Sequence, residues 1–145
     1  MECARQRSGE LSVAWLLDAW AYAAHRLRAD PTYADLMEIG RLVEPKVNRY
    51  GTRRGDVRIE GRKKVSPALI ERDLRNLVLA WRALSADEWL LEFDDIQPFE
   101  DGNVRVGGVL WNWRHNTLPS PLPTPPPLRQ DPVDLAVRRN RRLQR

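Results

Sequence analysis

Apolar residues recur at helical spacing along most of this chain. Between residues 11 and 27, Val13, Leu16, Leu17, Trp20, Ala24 and Leu27 fall at intervals that place them on one helical face. Asp30-Pro31 reads as a stop followed by a start, with Asp30 as the cap and Pro31 in the first position of a second helix. That helix carries Leu36, Ile39 and Val43, and Pro45 closes it. The period then changes. Over residues 50–65, Gly51, Gly55 and Gly61 punctuate the chain, and Val57 and Ile59 alternate with charged residues, the pattern of a short hairpin.

Ser66-Pro67 is a second pairing of cap and first position. Leu69, Ile70, Leu74, Leu77, Val78, Trp81 and Leu84 follow it at helical spacing. Ser85 and Glu88 form a capping box for another helix, which carries Trp89, Leu90, Phe93 and Ile96 and ends at Pro98. Asp101-Gly102-Asn103 is a turn, and Val106, Val109, Leu110 and Trp113 mark a last helix running to about Asn116. The tryptophans sit at positions that make them core residues, with one of Trp111 and Trp113 left for the surface because they point to different faces. Residues 118–128 hold six prolines in eleven positions and read as an extended strap. The sequence therefore predicts an all-α domain of about five helices with one small hairpin. It divides into a flexible start (1–10), a helical body (11–117), the Pro-rich strap (118–128) and a basic tail (129–145).

Composition narrows the function classes. No run in the 145 residues approaches the ~18 apolar residues of a membrane span. No apolar stretch with a small-residue cleavage site opens the chain, so a cytoplasmic setting is expected. A lone cysteine, Cys3, excludes an internal disulfide and a cysteine-based zinc site. The net charge of +4 belongs to residues 129–145, with six Arg and two Asp, whereas residues 1–128 balance 18 basic against 18 acidic groups. The high isoelectric point thus describes a tail and not a nucleic-acid-binding domain. Inside the neutral body, residues 49–64 carry seven basic and two acidic groups, and residues 85–101 carry seven acidic groups and no basic ones. Such patches can attract one another, bind an anion and a metal respectively, or simply be solvated.

The stretch from Gln97 to Arg105 is where chemistry concentrates. A helix stops at a proline, and a glycine turn leads straight into the next helix. The first amides of that helix have no intrahelical partner, and with the helix dipole they suit an anion such as a phosphate. Asp101 can hold a divalent cation against that phosphate, and Arg105 can neutralise it one turn further on. Phe99 is the apolar anchor. The plain alternative is a capped helix start, with Asp101 or Asn103 as the cap and Arg105 in solvent.

These residues resemble the signature loop of the Fic family, H-x-F-x-[D/E]-G-N-G-R-x-x-R, which this chain writes as Q-P-F-E-D-G-N-V-R-V-G-G. Phe99, Asp101, Gly102, Asn103 and Arg105 match. A tryptophan-bearing acidic helix before the loop, Leu110-Trp111-Asn112-Trp113 after it, and a Gly-punctuated hairpin upstream are similar to the family as well, most of all to its short bacteriophage-type members. The resemblance implies a helical domain that binds ATP or a related nucleotide with Mg²⁺ and transfers AMP, or in one branch phosphate, to a protein hydroxyl. It implies Asp101 at the metal, Gly102, Asn103 and Val104 around the anion hole, and Arg105 facing the phosphates. Arg53, Arg54, Val57 and Ile59 would lie on a flap that aligns a target segment as an added strand.

Three positions depart from the motif. Gln97 stands where the family has the histidine that takes the acceptor's proton, and a general base is worth ~10²–10⁴-fold in rate. Val104 replaces the second glycine of the anion hole, where a β-branched residue resists left-handed angles and crowds a phosphate. Gly108 replaces the last arginine. His115 lies about eleven residues past the turn, too far along its helix to stand in for the base, and both His25 and His115 read as surface or boundary residues. The family's self-inhibitory pattern is missing from this sequence. The expectation is a degenerate site in a protein that binds a bacterial host protein or a nucleotide in the host cytosol, with no bound cofactor as the limiting case. The alternatives are a surviving Mg²⁺-dependent transferase, and a nucleic-acid or virion-binding module using the Arg-rich tail.

Overall fold

In the computed structural model, residues 9–124 are described. Most of the expected flexible start, the end of the Pro-rich strap and the whole basic tail lie outside the described residues. Five α-helices and one hairpin follow in order: α1 Gly9–His25, α2 Tyr33–Val43, β1 Arg58–Ile59, β2 Arg62–Lys63, α3 Pro67–Leu79, α4 Ala86–Ile96 and α5 Asn103–His115. The hairpin is antiparallel, with Arg58 opposite Lys63 and Ile59 opposite Arg62. Among the described residues no helix is long and apolar enough to cross a membrane.

Helix α5 is the centre of the fold. It packs on α1, α2 and α4, and every residue from Arg105 to Trp113 is buried. Gly107 permits the close approach of α4, because a Cβ there would stand 2.9 Å from Leu90 Cδ1. Trp81 meets Trp89 and Trp113 edge-on at centroid distances of 4.9 and 6.3 Å. The indole N–H groups of Trp89 and Trp113 donate to Leu77 O and Ala29 O, so both rings are buried without an orphaned donor. Trp111 is buried too, against the expectation that one of the α5 tryptophans is exposed. Its indole donates to Asp87 Oδ1 at 2.8 Å, and α5 is covered on every side.

One helix boundary and one helix face differ from the expectation. Helix α2 opens at Tyr33 and not at Pro31, because Thr32 and Asp35 cap one another reciprocally, while Asp30 pairs with Arg82. In α1 the buried positions are Ser12, Leu16, Ala19 and Ala23, whereas Leu17 and Ala24 are exposed. This helix is apolar around most of its circumference, so the pattern of large residues could not fix its orientation. The small residues that admit its neighbours decide it.

The capping box at Ser85 and Glu88 and the Pro67 start of α3 form as expected. Residues 118–124 cross α5, where Asn112 Oδ1 accepts from Leu122 N at 2.7 Å and its Nδ2 donates to Leu122 O. Leu118 is buried beneath this crossing. The first part of the strap is therefore fastened to the domain.

Candidate anion and cation site between α4 and α5

Helix α4 ends at Ile96. Gln97 then adopts left-handed angles, φ 48° and ψ 62°, and Pro98 turns the chain away. The turn that follows is held at four points. Asn103 Oδ1 accepts from Phe99 N and Asn103 Nδ2 donates to Phe99 O, both at 2.9 Å. The Phe99 ring lies on the bare Cα of Gly40, where a Cβ would come within 2.3 Å of Phe99 Cζ. Asn48 Nδ2 donates to Asp101 O at 2.8 Å and to Gly40 O at 3.0 Å, tying the turn to α2. Arg53 donates its backbone N–H to Pro98 O at 2.8 Å, and its guanidinium reaches the carbonyls of Ile96, Gln97, Gly55 and Val65.

Gly102 is the N-cap of α5, with φ 78° and no side chain to cap the helix. A Cβ there would lie 2.8 Å from Val43 Cγ1, so the position has neither the angles nor the space for another residue. The N–H groups of Asn103, Val104 and Arg105 consequently open the helix with no intrahelical acceptor. Val104 lies within the helical first turn, so no left-handed angle is asked of it. Its side chain, 46% exposed, stands at the mouth of the helix.

Asp101 has a side chain 59% exposed. Its Oδ1 accepts from Gly102 N at 2.7 Å, which leaves Oδ2 available to a cation. Among the described residues no cluster of three His, Cys, Asp or Glu is placed to hold a metal. A cation at Asp101 would therefore take its remaining ligands from phosphate oxygens and water, the usual habit of Mg²⁺.

The Arg105 side chain is wholly buried, and none of its three guanidinium nitrogens has a hydrogen-bond partner. Glu44 Oε2 and Asp101 Oδ1 lie 4.0 and 3.8 Å from Nη2, too far for direct hydrogen bonds. Arg105 thus does not reach outward. It sits beneath Gly102 as a buried cation at the positive end of α5, its charge partly balanced by the Glu44 and Asp101 carboxylates.

The other expected site residues separate into two groups. Arg53 is 2% exposed and belongs to the clamp rather than to an outward flap. Arg54 and Ile59 are exposed and Val57 is half-buried, and each strand of the hairpin has one edge with no ladder partner. The basic and acidic patches do meet here, where Lys64 Nζ is 3.9 Å from Asp94 Oδ2 and Arg54 N approaches Glu100 Oε1 at 3.4 Å. At Gly108 a Cβ would lie 3.1 Å from Thr124 Oγ1, so the strap occupies the space over that position. His25 and His115 are exposed; the His115 ring lies tilted against Trp111 at the far end of α5, ~15 Å or more from the turn.

Several residues that build the site carry no signal in the hydrophobic pattern. Gly40 and Asn48 become visible only when α2 and the turn are seen together. Asp94 was findable, since it stands one helical turn before Gln97; Gln97 Nε2 donates to its Oδ1 at 3.0 Å. A cleft of about 510 Å³ lies at the opposite end of α5. Of its lining arginines, Arg114 donates to the carbonyls of Trp81 and Leu84 at the end of a helical segment and Arg82 pairs with Asp30.

No family model matches the chain, and no curated protein matches it.

Proposed function

We propose that this protein is a Fic-like domain that binds ATP or a related nucleotide with Mg²⁺ at the turn between α4 and α5, and that it has little transferase activity. The observation that carries this reading is the uncapped start of α5 at Gly102, with the buried Arg105 guanidinium beneath it and an open Asp101 carboxylate beside it. An anion bound there receives free amides, a helix dipole and a fixed positive charge, while Asp101 shares its cation. When bound, Mg²⁺ would neutralise charge on the phosphates.

The chain's own residues have narrower tasks. Asn103, Asn48, Arg53 and Phe99 hold the turn in shape, so the amides do not reorganise when the ligand arrives. Gln97, a neutral amide, supplies no base near pH 7, which accounts for weak transfer. The exposed edge of the hairpin would align an extended segment of a host protein. Equilibrium dialysis with labelled ATP tests the reading. Retention that requires Mg²⁺ supports it, and equal retention with and without Mg²⁺ counts against it. The alternative built on the basic tail rests on residues outside those described.

A further inference from the structure

Asn112 and Gly108 lie one turn apart on the same face of α5, and both are buried. The strap passes over each of them. Leu122 N donates to Asn112 Oδ1 at 2.7 Å, and two residues on, Thr124 Oγ1 stands 3.1 Å from where a Cβ of Gly108 would be. Four helical residues and two extended ones each span ~6 Å, so the strap follows this face towards the N-terminus of α5 at a matching pitch. The next residue along the face is Val104, which is 46% exposed at the mouth of the helix. An apolar side chain thus lies open beside the exposed Glu100 and Asp101.

We infer that the chain's own residues 125–129 cover this mouth, with prolines on Val104 and Arg129 paired to Asp101, and that a nucleotide with Mg²⁺ must displace them. The competition rests on the nucleotide-binding reading above, whereas the contact itself does not. At the pitch already set between Asn112 and Gly108, Val104 is met two residues past Thr124, at Pro126. Pro125, Pro126, Pro127 and Leu128 carry no charge and offer apolar surface, which suits an exposed valine.

Charge complements the apolar match. Arg129 is the first charged residue after Arg114 and comes three residues beyond Pro126, ~9 Å further on, where the acidic turn lies. Residues 129–145 carry a net charge of +4, and residues 85–101 carry seven acidic groups and no basic ones. Asp101 keeps Oδ2 uncommitted, since Gly102 N donates to its Oδ1. A guanidinium on that carboxylate takes the oxygen a divalent cation would use, and the prolines screen the open amides behind it.

The test uses the full chain with Cys3→Ser, Val104→Cys and Pro126→Cys under mild oxidation. An intramolecular disulfide is expected at least ~10-fold faster than in a control pairing Pro126→Cys with Leu79→Cys, an exposed position at the end of α3. Titration of ATP with Mg²⁺ then compares one protein in two states, and the oxidised form should bind at least ~10-fold more weakly than the reduced form. Leu122→Pro removes the N–H held by Asn112 and alters an exposed side chain, so it should loosen the cover and raise the affinity severalfold. Crosslinking no faster than in the control would overturn the inference, as would a disulfide between two chains, which would give this face to a second copy. Equal affinity of the oxidised and reduced forms would overturn the competition. Absence of ATP binding from the reduced protein and from Leu122→Pro alike would instead remove the nucleotide reading.

Discussion

The side chain of Asn103 closes on the backbone of Phe99 as a two-bond clasp, accepting from its N–H and donating to its carbonyl, each at 2.9 Å. An amide carries its donor and its acceptor on separate atoms, a two-point match to a backbone N–H and C=O that an ionised carboxylate or a single hydroxyl oxygen does not offer. Asn103 is thereby committed to shaping the turn rather than to meeting a ligand with its side chain.

Replacing Asn103 by Ala leaves both Phe99 groups without the clasp and should cost about 1–3 kcal/mol in urea unfolding. Asn103→Asp keeps the acceptor and loses the donor, so it should fall between wild type and Ala. Equal stability of all three proteins would show that the clasp contributes nothing.

Arg53 donates to carbonyls from three segments, Ile96–Gln97 in the turn, Gly55, and Val65 after the hairpin. Only a planar fork reaches so many acceptors at once, so Arg53→Lys should behave nearly like Arg53→Ala. Both are expected to lose on the order of 3 kcal/mol. Rescue by Lys, read from thermal melting, would mean that charge matters here and geometry does not.

Arg105 offers a contrast. Its buried guanidinium gains no hydrogen bond, so replacing the pair together, Arg105→Met with Glu44→Gln, should keep stability within about 1 kcal/mol of wild type. Arg105→Met alone strands the buried Glu44 carboxylate and should cost about 3 kcal/mol or more. Affinity of the paired variant for Mg²⁺-ATP should fall at least ~10-fold, about 1.4 kcal/mol. A loss of stability above about 3 kcal/mol in the paired variant, with affinity unchanged, would make Arg105 a structural partner of Glu44 instead.

Asp94 should reveal itself through pH. Burial raises its carboxyl pKa in the folded state above that of the unfolded chain. Its contribution to stability is then fully present below the unfolded pKa and is lost as pH rises through the folded pKa. Asp94→Asn, uncharged throughout, should melt above wild type at pH 7, with the difference shrinking as the solution is acidified below the carboxylate range. A difference independent of pH would contradict this.

Much of the fold was legible because its boundaries are marked by local chemistry. Pro67, the Ser85–Glu88 box and Pro98 each act within one turn of their own position. The apolar spacing in α5 marks a helix there, though burial runs through every residue from Arg105 to Trp113 rather than along one face. Helix α1 turns inward a face that its large residues do not mark, because the buried Ser12, Ala19 and Ala23 carry little hydrophobic signal. The turn was legible as a motif, while its supports were not. Gly40 and Asn48 act across more than 50 residues of chain, through an absent Cβ and a side-chain amide. Arg53 was misjudged for a related reason. Composition marks a basic patch without showing which of its cations turns inward to bind carbonyls.

The most direct measurement is calorimetric titration of ATP with Mg²⁺ into the wild type and into Asp101→Ala. Asp101 lies exposed at the turn with one oxygen uncommitted, so its loss should spare the fold and remove the cation's protein ligand. Binding by the wild type that depends on Mg²⁺ and weakens at least ~10-fold in Asp101→Ala is the expected result. Binding that is absent from both proteins, or identical in both, would contradict the assignment of this turn as a nucleotide site.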